Sequence, residues 1–450
     1  MNTAHPYPSS AAAPLPPSAL EQALGSVGAA PGHFDELRGQ VGALSKAGSD
    51  AAPAPSATSM APAWQQFFSS AASDGLGDLD QRSVRLERQI RDNGVTYNVY
   101  AEQDGPQRPW SLGLFPLIIS PQSWQQIEAG VIQRVRLLER VMADVYGAQD
   151  LLSQSLLPPA LVQGHPGYLR AMHGVAPVGQ THLHIAAFDL ARGPDGNWWV
   201  VSQRTQAPSG LGYLLENRLA VSRLFPQAFE SLQVQRLAGT YRALVEGMKS
   251  MCATGQDAHI ALLTPGPYNE TYFEHAYLAR YLGITLVEGS DLIVRDQRLY
   301  LKTLRGLEPI DALLKRMDDQ FLDPLEQRAD STMGVPGLLQ VIRAGNVLVA
   351  NAPGSAFLES PALLGFLPAL SRHLLDEELL LPALSTWWCG ERSAMQEALP
   401  QLLDCNILPT YPGYSSQGSF DAVRAAALSP DERDAWMGRI LRESDTHTLQ

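Results

Sequence analysis

The apolar positions between His259 and Pro324 change period repeatedly, and the remaining elements arrange around that stretch. HIALLTP (His259 to Pro265) is a short apolar run that predicts a buried strand, broken by Pro265-Gly266. Asn269 is placed to cap a helix carrying Tyr272, Phe273, Tyr277, Leu278 and Leu282 at steps of three to five, with Gly283 as its stop. Ile284 to Gly289 then reads as a second buried strand, and Asp291 to Thr303 as a hairpin turning at Asp296-Gln297. Strand, helix and strand make a βαβ unit, right-handed by default. KRMDDQFLDP (Lys315 to Pro324) closes the block with a charged segment.

Elsewhere the same patterns predict further elements. Trp64 to Arg91 reads as helical and Gly94 to Gln103 as a strand. The strongest helix signal starts at Ser120 and Pro121, with Trp124, Ile127, Val131, Val135, Leu138, Met142 and Val145 recurring at three and four, and Gly147 as its end. Arg134, Arg136 and Arg140 fall off that stripe and are expected on a solvated face. His182 to Leu190 and Asn197 to Thr205 predict a strand pair around Pro194-Asp195-Gly196. His182 and His184 would then share one strand face; with no third ligand evident, a structural pair is expected over a metal site. A long helix follows Gln227, Asn346 to Ala352 predicts a buried strand, and helices are expected in 361–379, 393–403 and 431–445.

Composition narrows the class without choosing a function. A chain of 450 residues can bury a large core in two or three lobes. Residues 1–31 are rich in Ala, Pro and Ser and are expected to be disordered; Gly48 to Pro62 reads as an exposed loop. The mean hydropathy is −0.10, and no apolar run reaches the ~18 residues of a membrane helix. No basic region followed by an apolar core marks a secretory leader. Three widely spaced cysteines (Cys252, Cys389, Cys405) fit reduced thiols in a cytoplasm, and Cys389 beside Trp387-Trp388 reads as core. The net charge of −13 argues against general nucleic-acid binding.

The block TPGPYNETYFEHAYLARYLGITLVEGSDLIVRD with KRMDDQFLDP resembles the circularly permuted type 2 ATP-grasp family, which is similar to the ligase half of glutathionylspermidine synthase. The likeness runs from His33-Phe34-Asp35-Glu36 to near the chain end. It is dense at Asn93 to Asn98, Glu128-Ala129-Gly130, Pro208-Ser209-Gly210, Glu216-Asn217-Arg218, Gly334-Val335-Pro336-Gly337 and Asn351-Ala352-Pro353-Gly354. It implies an α/β (α+β) circularly permuted ATP-grasp-like fold over 32–450, with an inserted βαβ lobe in 255–350 and an incomplete C-terminal lobe in 351–450. Related proteins continue past this point, so a fragment or part of a longer polypeptide is expected.

The resemblance also implies a chemistry, and the residues depart from it. Such ligases phosphorylate a carboxylate and let an amine attack the acyl phosphate, with Mg²⁺ and lysines holding the nucleotide. At the family's Glu and Asn metal positions stand Ser202 and Arg204; Asp189 is the residual ligand. A fixed cation repels a divalent ion. The family's Arg before Pro-Ser-Gly is Gln206, and its Asp-Asp-Lys is Glu359-Ser360-Pro361, so one phosphate lysine is Pro361. A second has become Leu408, and the glycines of the following loop (Tyr411 to Ser419) are mostly gone. Each such contact is worth ~1–3 kcal/mol.

The expectation is therefore a ligase homologue that has lost catalysis and needs no cofactor, ATP and Mg²⁺ entering only if the nucleotide site is competent after all. The matched residues Tyr268, Asn269, His275, Arg316, Asp318, Asp319 and Ser209, with Glu216, Asn217 and Arg218, are candidates for a peptide-like ligand's pocket; internal salt bridges and a cap-and-bridge role explain them as well. The family context points to an alpha-E or transglutaminase-like protein partner, with no nucleic acid and no membrane. Two other readings stay open: an active carboxylate–amine ligase with altered metal ligands, and a structural domain of a longer ATP-grasp/alpha-E polypeptide.

Overall fold

The structure is a computed structural model and describes residues 29–30, 32–41, 60–73, 78–97, 110–413 and 420–450. Residues 1–28 and 31 of the Ala/Pro-rich tail, most of the Gly48 to Pro62 loop, the latter part of the strand expected after Gly94 and the end of the loop at Tyr411 to Ser419 lie outside them.

Strands β1 (Phe34–Asp35) and β2 (Gln40–Val41) form a small antiparallel pair. Two helices, Pro62–Ser73 and Leu79–Asp92, occupy the segment where one helical pattern is legible. The long helix Pro121–Val145 starts as its sequence predicts: the Ser120 side chain accepts the Ser123 amide at 3.2 Å, and Pro121 fills the first turn. Its buried stripe is rotated from the expected one. Trp124 is exposed, whereas Gln133 and Arg134 are buried. Arg134 corrects the solvated-face expectation: it is fully buried and donates to the Leu381 carbonyl at 2.7 Å, and burial pushes its pKa down to about 10. Arg136 and Arg140 do face solvent.

Strands β3 (Ala187–Arg192) and β4 (Trp198–Arg204) make the hairpin expected around Asp195-Gly196. It begins at Ala187, so His182 and His184 precede the strand and share no strand face. His182 instead binds Glu139 from the long helix, Nδ1 to Oε1 at 2.8 Å, with its own amide on the same carboxylate at 2.9 Å. The tip of the hairpin is held by the β1 segment: Arg192 lies 3.8 Å from the Phe34 ring centroid and donates to Glu36 at 2.8 Å.

The central βαβ unit forms as read. Strand β5 (Ile260–Leu263) feeds the helix Tyr272–Leu282, which Gly283 ends at φ +68°, and β6 (Thr285–Val287) returns parallel to β5. Strands β7 (Leu292–Arg295), β8 (Arg298–Thr303) and β9 (Gly306–Pro309) form an antiparallel meander, with Asp296 and Gln297 at positive φ in its first turn. Strands β10 (Ala312–Lys315) and β11 (Leu348–Ala350) complete a parallel sheet ordered β11-β10-β5-β6. Both faces of this sheet are covered, as the unbroken apolar runs of its strands require. Ala261, Leu263 and Leu313 join the large core built by the helices Pro121–Val145, Leu338–Arg343 and Leu363–Leu375, while Leu262, Leu314 and Leu348 pack with Tyr241, Met248 and Leu278.

The last region holds the antiparallel sheet β12-β15-β13-β14, made by β12 (Trp387–Trp388), β13 (Asn406–Pro409), β14 (Val423–Arg424) and β15 (His447–Leu449). Cys389 and Cys405 are buried in its core, as Cys389 was expected to be. Two glycines mark where backbones touch: a Cβ on Gly289 would lie 2.2 Å from the Met333 carbonyl oxygen, and one on Gly334 2.1 Å from that of Phe321. No helix among the described residues is long and apolar enough to cross a membrane.

Candidate functional site

In an open parallel sheet the loops leaving the carboxyl ends of the strands gather at one rim. Here the segments after β5, β10 and β11 meet there, joined by the segment after β4. Lys315, the last residue of β10, points into the interior and pairs with Asp319; both side chains are fully buried. The other oxygen of Asp319 accepts the Gly354 amide at 2.7 Å, and its own amide donates to Gln206 Oε1 at 3.0 Å. Gln206 Nε2 in turn donates to Asp318 at 3.2 Å. Asn351 uses its amide fully: Nδ2 donates to the carbonyls of Ile185 (2.6 Å) and Thr205 (2.5 Å), and Oδ1 accepts the amides of His184 (2.7 Å) and Ile185 (2.9 Å). Glu359 accepts the amides of Thr205 and Gln206 at 2.6 and 2.5 Å.

These bonds fix the post-β4 segment against two strand ends and leave an acidic rim. Asp318 reaches solvent, yet the protein packed around it raises its pKa; Lys315 opposes that rise, and Asp319 and Glu270 add to it. Burial likewise raises Glu359.

On the other side of β10, Arg316 and Glu274 are buried together, Nη2 to Oε1 at 3.6 Å. That oxygen of Glu274 takes the amides of Gly210 (2.8 Å) and Gly212 (3.1 Å), which open the helix Leu211–Leu224. Arg316 Nε and Nη2 and Glu274 Oε2 have no hydrogen-bond partner. His275 is buried between Thr264 (2.9 Å) and Thr271 (3.1 Å), and burial, helped by the Arg316 charge, pushes its pKa down to about 3. Asn269 sits two residues before the helix cap position rather than on it, its side chain accepting from the Thr271 amide at 3.0 Å and hydroxyl at 2.6 Å. Tyr268 and Ser209 are exposed beside it.

Of the sequence-derived candidates, His275, Arg316, Asp318 and Asp319 thus gather at the rim, with Tyr268, Asn269 and Ser209 at its edge. The triplet Glu216-Asn217-Arg218 stands apart, on the helix Leu211–Leu224. Glu216 is buried and takes Asn93 Nδ2 at 2.5 Å; Asn217 accepts from Trp110 at 3.0 Å; Arg218 donates to the Gln235 carbonyl at 3.1 Å. Sequence reasoning missed Glu274, Gln206 as a hinge between loops, and the double role of Asn351. Glu274 had a signal: a carboxylate inside the otherwise aromatic YFEHAY run.

The metal-position residues lie on the hairpin. Ser202 is opposite Asp189 in the β3–β4 register, and its hydroxyl donates to Asp189 Oδ2. Arg204 Nη2 reaches the same oxygen at 2.7 Å, with both side chains about half exposed (54% and 49%). The Ser360 hydroxyl donates to the Thr410 carbonyl at 2.7 Å, which brings the loop carrying Pro361 to the end of β13, where Leu408 faces Thr448. The would-be metal and phosphate positions are therefore on segments that meet. Their donors do not fit a divalent cation: one carboxylate, already bonded to a hydroxyl and a guanidinium, is not the several-oxygen shell of Mg²⁺. Among the described residues no cluster of three or more His, Cys, Asp or Glu side chains is arranged to hold a metal.

The family model for circularly permuted ATP-grasp type 2 matches residues 116–450. The chain is 38% identical over 366 residues to the uncharacterized protein Rv2567 of Mycobacterium tuberculosis, an alignment covering 79% of this chain and 41% of that one. It thus spans about two fifths of that relative's length. It is 33% identical over 383 residues to the uncharacterized protein sll0335 of a Synechocystis species, covering 84% of this chain and 79% of the other. Among solved structures it resembles the apo form of a glutathione synthetase-like effector (GSS30) from Globodera pallida, with a TM-score of 0.52 at 13% identity over 82% of this chain and 80% of that chain. That likeness bears on fold alone. The chain belongs to the circularly permuted type 2 ATP-grasp family and has the mixed helix-and-sheet architecture of that fold.

Proposed function

We propose that this ATP-grasp homologue no longer ligates and acts as a binding module, for a peptide-like ligand or a protein partner, in a peptide-synthesis or peptide-modification system. The observation that carries the reading is the Arg204 guanidinium bonded to Asp189 at 2.7 Å, where the family's divalent ion is expected. A positive charge there opposes Mg²⁺, and removing the cation leaves a triphosphate without its counter-charge. Pro361 and Leu408 supply neither charge nor a hydrogen-bond donor at the lysine positions. The buried rim network supports the other half of the reading, a scaffold that stays ordered while its nucleotide groups are gone.

Calorimetric titration with Mg·ATP tests it. No heat of binding is expected up to millimolar nucleotide; micromolar affinity or turnover of ATP by the purified chain overturns the proposal. The triple variant Ser202→Glu, Arg204→Asn, Pro361→Lys is expected to gain nucleotide affinity on the same backbone. A pull-down against an alpha-E or transglutaminase-like protein encoded alongside tests the partner. With neither partner nor ligand, the structural-domain reading takes its place.

A further inference from the structure

A cleft of about 460 Å³ runs along the outer face of the helix Tyr272–Leu282, separate from the hairpin and its neighbours. Its floor is a row of side chains from successive turns: Tyr272, Phe273, Ala276 and Tyr277. The rings of Phe273 and Tyr277 are 5.6 Å apart, an i,i+4 pair. The wall opposite the floor is anchored from below, because the buried Glu216 accepts from Asn93 Nδ2 at 2.5 Å, and Asn93 lines the cleft. The Glu216 motif residue thereby acquires a role that the rim does not give it.

The two ends of the cleft carry opposite charges. Glu270 lines one end and Arg280 the other, and Arg280 lies 5.6 Å from the Tyr277 ring centroid. The eight helical steps from Tyr272 to Arg280 span ~12 Å at 1.5 Å each, and Glu270 stands two residues ahead of the helix in the preceding turn. Four residues of extended chain, at ~3.4 Å each, match that length. The helix dipole alone accounts for an acid near the N-terminus and a base near the C-terminus. It does not account for an open cleft between them floored with rings, of a size that takes small molecules.

We propose that this cleft binds a short extended peptide of about four residues with both ends free, its ammonium at Glu270 and its carboxylate at Arg280. The proposal rests on the binding-module reading and names the ligand's class and its seat. The Glu270 end also borders the acidic rim, since the Glu270 charge adds to the rise in the Asp318 pKa. An ammonium arriving between the two carboxylates relieves that repulsion, so the polarity of the bound peptide is set at this end.

The test is calorimetric titration of the full chain, without nucleotide, with the tetrapeptide Ala-Phe-Phe-Ala and with its N-acetylated and C-amidated forms. Saturable one-to-one binding is expected for the free peptide, and at least tenfold weaker binding for each blocked form. Ala276→Trp fills the middle of the floor and is expected to abolish binding. Arg280→Ala, a surface change that leaves folding intact, is expected to weaken the free peptide to the level of the amide and to leave the amide unchanged. The proposal is overturned by absence of saturable binding to the wild-type chain, by equal affinity for free and blocked peptides, or by binding indifferent to Arg280→Ala. These outcomes are independent of the Mg·ATP titration, so either reading can fail alone.

Discussion

The rim of the parallel sheet and the β3–β4 hairpin both carry charged residues in motif positions, but they hold them in different ways. At the rim, Lys315 and Asp319 are fully buried, and Asp319 also accepts the Gly354 amide and donates its own amide to the Gln206 side chain. On the hairpin, Asp189 and Arg204 are about half in water and bind only within the hairpin. A buried charge that ties loops together cannot be exchanged without leaving its partner stranded, whereas an exposed pair contributes little to the fold. A charged side chain on the hairpin can therefore be exchanged with little structural penalty, and one at the rim cannot.

Asp319→Ala tests the first half of that contrast most severely. It strands the Lys315 ammonium and the Gly354 amide, and a loss of about 3–5 kcal/mol in urea unfolding is expected; a loss below about 1 kcal/mol would break the comparison. Asn351→Ala removes four hydrogen bonds, one of them fully buried and three part-buried, and roughly 2–3 kcal/mol is expected in the same assay.

Acid titration sharpens the contrast in a different way. His275 is held near pKa 3 and His165 near 4 by burial, below the unfolded value of about 6.5. The unfolded chain thus binds more protons between those values, and stability falls as pH drops below about 6.5, by up to ~1.4 kcal/mol per pH unit for each group. Glu359 and Asp318, with raised values, act in the opposite sense as pH falls through their folded pKa. Comparing unfolding of wild type and His275→Gln from pH 7 to 5 isolates the histidine: the variant is expected to show the shallower slope. At the bottom of the scale, Arg204→Ala is expected to shift stability by less than about 0.5 kcal/mol, and a larger change would mean the hairpin is more deeply coupled to the fold than its exposure indicates.

Much of the architecture was legible because local signals agreed with the global fold. Gly283 and Gly196 marked a helix end and a turn by backbone freedom that few other residues supply, whereas the Asp296-Gln297 turn showed only as a break between two strand patterns. The stripe of the Pro121–Val145 helix was misjudged where a polar side chain had a distant partner: Arg134 is buried because Leu381, far along the chain, offers its carbonyl. The same limit applied to the site. Arg316, Asp318 and Asp319 were visible as a motif, but Gln206 and Asn351 matter through bonds to loops remote in sequence, which no periodicity encodes. His182 and His184 were misassigned for the converse reason, their apolar neighbours imitating a strand that starts only at Ala187.

The backbone crossings at Gly289 and Gly334 have a bearing on how such chains are counted. Where one main chain presses on another, any side chain is excluded, whatever the molecule binds. A genomic signature resting on such crossings tallies frames, not catalysts, and the number of working ligases among the bearers of this frame must be established by inspecting the few side chains that would face a nucleotide.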